Sequence, residues 1–442
     1  KEIKEKIFGF LIYEKFKIMN KLFRFLNYKN QFILYFGYII TLLSILLVFF
    51  LFKSGLIHNV IGGTTEYFVD WKISIKWIEC AYLGKNIHQV CDQVDYGRVF
   101  LLIPFNLNIK YFYLNYLPYI SMAIFIIIVS VIIKPINVSR IILLNVIVFC
   151  PTTLLLFERF NFDIFIFFII VFISINRIYF LNWLLFIFAF LSKIYPLVLG
   201  IIIFIENKHR KLFSTILILI FIGIFLSVYL LFNYNEYLNL NTYGIAKTGL
   251  HALFSLNTIP KIIKYSLNFN YIISIIMIAL LFIINTKIII NYLKGIKIVE
   301  KSVQNLFSFN VKLFVLSGNV LLLCYLIYSN YYMREVFLIL TLPLLFELTN
   351  NSKNNLLKYF LIFIFIRFLF IYFYNYINFT DSFYHVNGVR YFSNTFLITT
   401  TIKGILDFII MSVIGAFLYF LNLNVVVNFQ KKITQNFIKK NS

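Results

Sequence analysis

A chain of 442 residues that is 61% hydrophobic and only 13% charged carries more apolar surface than a water-soluble fold of this length can bury. That excludes a soluble globular domain and leaves lipid as the solvent that accepts such a composition. The formal net charge of +23 would suggest nucleic acid in a soluble protein. Here Lys and Arg cluster in short segments between apolar runs, so the charge reads as membrane topology and no nucleic-acid partner is expected.

About 20 apolar residues cross the hydrocarbon of a bilayer, and backbone groups inside it must pair within the segment. Runs near 32–53, 112–133, 141–157, 161–175, 178–191, 195–205, 213–232, 271–290, 313–328, 336–348, 359–376 and 402–422 predict an all-α polytopic membrane protein with about 12 transmembrane helices. The stretch 161–205 also fits two spans plus a re-entrant turn. The run 32–53 is too long for a signal-peptide core, so it reads as a retained first span. The Lys/Arg bias places the basic segment 1–31 and the basic tail 423–442 in the cytoplasm, around a single transmembrane domain over 32–422. An even count then brings both termini inside. The larger loops, 54–111, 233–270 and 377–401, fall outside, and none is long enough for a domain of its own.

The first outer loop predicts an amphipathic interfacial helix. Trp71, Ile75, Ile78 and Tyr82 recur at helical spacing, Lys72, Lys76 and Glu79 share another face, and Gly84 is a natural stop. Trp71 and Trp77 are expected at headgroup depth. Asp70 stands just before this helix, either as its N-cap or as a functional carboxylate. Cys80 and Cys91 share the loop and form a disulfide if the outer side is oxidising; free thiols are the other reading. Cys150 and Cys324 lie in apolar runs as packing residues.

The next outward segment reads Glu158-Arg159-Phe160-Asn161-Phe162-Asp163 between two apolar runs. Such polarity is costly at a membrane surface unless it faces a cavity or pairs internally. It fits either a solvated hairpin with Asn161 capping the following helix, or a binding site. Lys193-Ile194-Tyr195-Pro196 interrupts another apolar stretch. Pro196 breaks the backbone ladder, and Lys193 either contacts a phosphate or snorkels to the interface. Ser329-Asn330-Tyr331-Tyr332-Met333-Arg334-Glu335 is a further outward patch, in which Arg334 binds an anion or pairs with Glu335 or Glu158. Within spans, Arg367 and Asp407 are expected to form an ion pair.

Together these segments resemble the GT-C glycosyltransferases, which use polyprenyl-phosphate sugars as donors. The outward Asp70, followed by an interfacial helix and Gly84-Lys85-Asn86, is similar to their first outer loop. ERFNFD resembles the Arg-Gly-Asn-x-Asp element of the glycosyltransferase family 87-like branch, which includes polyprenyl-phosphate-mannose-dependent mannosyltransferases. KIYPL resembles its Lys-x-x-Pro element, and YYMREVFLILTLP its Tyr-Arg…Phe-Leu…Pro element. Phe160 stands where that branch has glycine, and Met333 intervenes before Arg334.

The resemblance implies an inverting transfer at the outer face of a bacterial cytoplasmic membrane, in polysaccharide synthesis of the cell envelope. Asp70 would be the catalytic base. Glu158, Arg159, Asn161, Asp163, Lys193, Tyr195, Tyr332 and Arg334 would bind the substrates, a polyprenyl-phosphate sugar and a glycan or lipid acceptor. No cofactor is firmly implied, and a divalent metal is left open. The rival readings are a multi-spanning transporter or flippase, a lipid-linked polysaccharide polymerase, and a nonenzymatic membrane subunit.

Overall fold

The structure, a computed structural model, describes residues 31–57, 67–84, 104–193, 195–201, 223, 253–267, 269–294, 308–326, 330–351, 355–380, 383–386 and 389–441. The run 213–232, apart from residue 223, lies outside the described residues, as do segment 1–30 and Cys91.

The chain opens with α1 (Gln31–Lys53), followed by α2 (Val69–Tyr82), α3 (Leu107–Asn115) and α4 (Leu117–Ile133). Tyr116 separates α3 from α4, with Pro118 in the first turn of α4, and the two helices meet at 43°. The same angle separates α5 (Val138–Val148) from α6 (Pro151–Arg159), where Pro151 has no N–H to continue the ladder. Asparagine side chains start three helices: Asn106 accepts from the Ile109 N–H, Asn137 from Arg140, and Asn270 from Ile272.

Two short apolar helices follow, α7 (Asp163–Ile175) and α8 (Tyr179–Ser192), and then a 3-10 segment at Tyr195–Gly200. At about 1.5 Å per residue, α7 and α8 are each shorter than the hydrocarbon core. After a gap come α9 (Thr258–Leu267), α10 (Tyr271–Leu293), α11 (Phe309–Leu326), a second 3-10 segment at Tyr332–Thr341, α12 (Leu342–Asn351), α13 (Asn355–Thr380) and α14 (Asn394–Asn441). Two small antiparallel pairings complete the fold. β1 (Leu253–Phe254) pairs with β2 (Asn330–Tyr331), and β3 (Phe383–Val386) with β4 (Val389–Phe392).

Among the described residues, 5 helices are long and apolar enough to cross a membrane, or up to 7 if each bent pair is one span. The protein is therefore a multi-spanning α-helical membrane protein. The run 336–348 departs from the predicted α-helical span: it is divided between the second 3-10 segment and α12.

Helix α11 is the hub, with 67% of its apolar stretch buried against the two 3-10 segments, α7, α12 and α14. Helix α10 lies at the rim, only 11% buried, with Ile272, Ile276, Leu280, Ile284 and Ile288 exposed as a lipid-facing stripe. Helix α1 packs on α4 and α5 through polar contacts suited to a lipid setting: Thr41 with Ser130 at 2.7 Å, and Ser44 donating to Asn145 at 3.3 Å. Gly37 makes that approach possible, because a Cβ there would stand 2.7 Å from Pro135.

An α-helix, α2, does form over the stretch where Trp71, Ile75, Ile78 and Tyr82 recur, and Gly84, at φ 67°, follows its end. Lys72 and Lys76 are exposed, and Trp71, Ile75 and Ile78 are buried. Both Trp71 and Trp77 pack inside the protein rather than standing free at headgroup depth, and the Trp71 indole donates to the Tyr113 carbonyl. Tyr82, expected on the buried face, is 66% exposed.

Candidate active site

The entrance to α2 carries the first unusual geometry. Phe68, not Asp70, occupies the N-cap position, with φ 59° in the left-handed region. Its N–H donates to the Glu158 carbonyl at 2.6 Å, which ties the start of α2 to the end of α6. Asp70 consequently sits inside the first turn, where a helix N-terminus favours a carboxylate. Its side chain makes no cap. Arg159 Nη1 donates to Asp70 Oδ1 at 2.9 Å, and Asn161 Nδ2 donates to Oδ2 at 2.7 Å.

The α6–α7 turn supplies both partners by a second left-handed residue, Phe160, at φ 46°. This is the conformation glycine adopts at least cost, at the position where the resembled motif has glycine. Phe160 keeps its ring because the ring is fully buried against Phe68, Trp71 and Phe165. Replacing it sets two effects against each other. Phe160→Gly relieves about 1–2 kcal/mol of backbone cost but forfeits about 3–5 kcal/mol of aromatic packing. The variant is expected to be less stable by roughly 2 kcal/mol, read as a lowered melting temperature in detergent. An unchanged or raised one would mean the ring contributes little.

Beyond the turn, Asn161 Oδ1 accepts from the Asp163 N–H at 3.2 Å and from Lys193 Nζ at 2.6 Å. Asn161 therefore shapes the start of α7 and bridges Asp70 to Lys193. Asp163, the first residue of α7, is fully buried. Its Oδ1 accepts from Lys193 and from the Tyr195 hydroxyl, and its Oδ2 faces Arg334 Nε at 3.4 Å. The 3-10 segment after α8 brings Tyr195 to this carboxylate. The Arg334 guanidinium lies over the Tyr195 ring, 4.9 Å from its centroid.

Six predicted site residues besides Asp70 thus form one contiguous network or touch it: Arg159, Asn161, Asp163, Lys193, Tyr195 and Arg334. Lys193 is a buried strut rather than a snorkelling side chain, with 8% of its side chain exposed. Arg334 pairs with Asp163, not with Glu335 or Glu158. Glu158 is buried behind the turn, near Tyr67. Burial raises the Tyr67 phenol above its usual pKa, and neighbouring Tyr119 and Glu158 push it the same way, so it remains a proton donor at neutral pH. The Tyr332 backbone opens the second 3-10 segment, while its side chain lies outside the described residues.

The five charged groups of the network are three cations, Arg159, Lys193 and Arg334, and two carboxylates, Asp70 and Asp163. Lys193 and Asp163 form the closed end. Arg159 and Asp70 form the open end, with 27% and 16% of their side chains exposed, and 19% of Arg334 is also exposed. Arg334 meets the protein through Nε and its stacked face. Among the described residues its two terminal nitrogens take no hydrogen bond or ion pair, which leaves a planar fork of donors.

A second charged cluster lies between the second 3-10 segment, α13 and α14. The predicted pair forms, with Arg367 Nη2 at 2.8 Å and Nε at 2.9 Å from Asp407 Oδ1. Two further residues join it: Lys403, which the sequence reading did not single out, and Glu335, considered there only as a partner for Arg334. Lys403 reaches Asp407 at 2.8 Å and Glu335 at 3.0 Å, and Glu335 also pairs with Arg367. Lys403 precedes Asp407 by four residues, and that helical spacing was the available signal. All four side chains are 1–3% exposed, and their charges sum to zero.

Cys80 is disulfide-bonded, whereas Cys150 and Cys324 are buried thiols outside any disulfide. Among the described residues, no group of three or more His, Cys, Asp or Glu side chains is placed to hold a metal ion. Comparison of the chain with protein-family models, curated proteins and solved structures gave no match.

Proposed function

We propose that the protein is a membrane glycosyltransferase that moves a sugar from a polyprenyl-phosphate carrier to a glycan or lipid acceptor. The observation that carries this reading is the open end of the Asp70–Arg334 network, where Arg159, Asp70 and the Arg334 guanidinium are all partly exposed. Guanidinium groups at a partly buried site are complementary to an anion, and a planar fork of donors suits phosphate oxygens. The second cluster is neutral and closed, so it offers an anion no such place. For the same reason its intramembrane charges favour a structural role over a transport path.

In the proposed reaction, the acceptor hydroxyl attacks the anomeric carbon of the donor. Asp70 takes the hydroxyl proton, the new glycosidic C–O bond forms, and the bond from the anomeric carbon to the phosphate oxygen breaks. The electron pair leaves with the polyprenyl phosphate. Arg159 and Asn161 hold one oxygen each of Asp70, which fixes the carboxylate and leaves lone pairs for the acceptor. Arg334, with Arg159, stabilises the charge arriving on the phosphate. Lys193, Asp163 and Tyr195 frame these groups. One base and no covalent intermediate make the transfer inverting.

The reading extends to a GT-C-like arrangement of about a dozen spans, with the site at the outer face and both termini in the cytoplasm. The disulfide at Cys80, in the loop assigned outside, supports that orientation. Purified protein in lipid nanodiscs, offered a panel of polyprenyl-phosphate hexoses with cell-envelope glycan or lipid fractions, is expected to consume one donor and release polyprenyl phosphate. Consumption of none would remove the proposal.

A further inference from the structure

Arg334 and Glu335 are adjacent in sequence, yet their side chains belong to different clusters. Three residues make one turn of a 3-10 helix, so neighbours project about 120° apart. Arg334 reaches Asp163 on α7 and the Tyr195 ring, while Glu335 reaches Arg367 on α13 and Lys403 on α14. The segment that carries both spans 10 residues. Such runs are uncommon beyond three or four residues, because their hydrogen bonds are poorer than those of an α-helix. Support from outside the segment is therefore required. Apolar packing supplies part of it, since Met333 and the run from Val336 to Leu340 are all buried. The hydrophobic force behind that packing is non-directional and aims Arg334 less sharply than a charged contact beside it would. The Glu335 carboxylate supplies such a contact, because one oxygen faces Arg367 and the other faces Lys403.

We propose that Glu335 is a positioning residue. Clamped between Arg367 and Lys403, it fixes the rotation of the first 3-10 turn and so aims the terminal nitrogens of Arg334 into the site. The neutral cluster is then the rigid mount of the charged one. The clamp rests on the structure; its ligand, a lipid-linked phosphate, rests on the transferase reading.

The test uses the full chain in nanodiscs, with polyprenyl phosphate as the binding probe. Glu335→Gln leaves Arg367 and Lys403 facing a single carboxylate and frees the turn. Arg334→Ala and Glu335→Gln are each expected to weaken probe binding about tenfold, the scale of one charge-assisted contact. The double variant is expected to bind no worse than Arg334→Ala, because Glu335 acts through Arg334. Multiplied losses in the double variant, or wild-type affinity in Glu335→Gln, would overturn the proposal. Should Glu335→Gln fail to fold, Glu335→Gln/Lys403→Met removes one charge of each sign, keeps the Arg367–Asp407 pair, and must show the same loss.

Hydrogen exchange without ligand gives an independent reading. Amides of Tyr332–Thr341 are expected to exchange faster in the variant, and unchanged exchange would overturn the clamp. A wild-type protein that ignores polyprenyl phosphate while the variant loosens this segment would retire the transferase reading and leave the clamp standing.

Discussion

Asp70→Asn is expected to lower the turnover of sugar transfer by about a thousandfold, within the range a positioned general base contributes. The substitution keeps the shape of the side chain, and the Asn oxygen still accepts from Arg159. Folding is therefore expected to be preserved, with a melting temperature near that of the wild type. Charge makes the outcome more specific. Removing the Asp70 carboxylate takes one negative charge from the network and leaves its three cations in place. Binding of polyprenyl phosphate is thus expected to be as tight as in the wild type or tighter. Turnover and binding would separate, which unfolding cannot mimic. Steady-state transfer and equilibrium binding on one preparation provide the check; a variant with full turnover would remove Asp70 from the reaction.

Arg367→Met is expected to produce the largest loss of stability, about 3–5 kcal/mol, the scale for a buried ionic partner left uncompensated. Arg367 contacts both Glu335 and Asp407, so its removal leaves two buried carboxylates sharing Lys403 alone. Replacing the whole cluster is a different experiment. Glu335→Leu/Arg367→Met/Lys403→Met/Asp407→Leu removes every charge together, and matched apolar replacement of buried ion groups is often neutral or stabilising. Thermal unfolding in detergent should therefore rank the quadruple variant well above Arg367→Met. The reverse order would mean that the charges contribute individually rather than as a balanced set. The quadruple variant also lacks the Glu335 clamp, so it is expected to fold while binding the phosphate probe poorly.

These two clusters show how far the chain could be read before its fold. The apolar runs marked the long helices well, because length and hydropathy are local properties that lipid enforces. The residues of the Asp70–Arg334 network were named from short polar interruptions in those runs. Their pairing was not legible, since Arg159 had no sequence signal choosing Asp70 over its neighbour Glu158. The reason lies in Phe68 and Phe160. Both take left-handed backbone that aromatic residues rarely adopt, and tertiary packing of their rings, not local preference, holds them there. Those two turns move Asp70 off the N-cap position and direct it to Arg159 and Asn161.

The second 3-10 segment was misread for a related reason. Its run of Val, Phe, Leu and Ile looks like any apolar span, and periodicity cannot distinguish an α-helix from a tighter one surrounded by protein. Arg334 and Glu335 at its start were visible as polar residues. Their opposite destinations were not, because one partner lies far upstream on α7 and the others downstream on α13 and α14.

The central claim is that the open end of the Asp70–Arg334 network receives the phosphate of a lipid carrier. A cryo-electron microscopy structure of the full chain in nanodiscs with polyprenyl phosphate tests it most directly. Phosphate density is expected within hydrogen-bond reach of Arg334 and Arg159, with Asp70 facing the space where the sugar would lie. Density seated elsewhere on the protein, with the Arg334 fork contacting no phosphate, would contradict it.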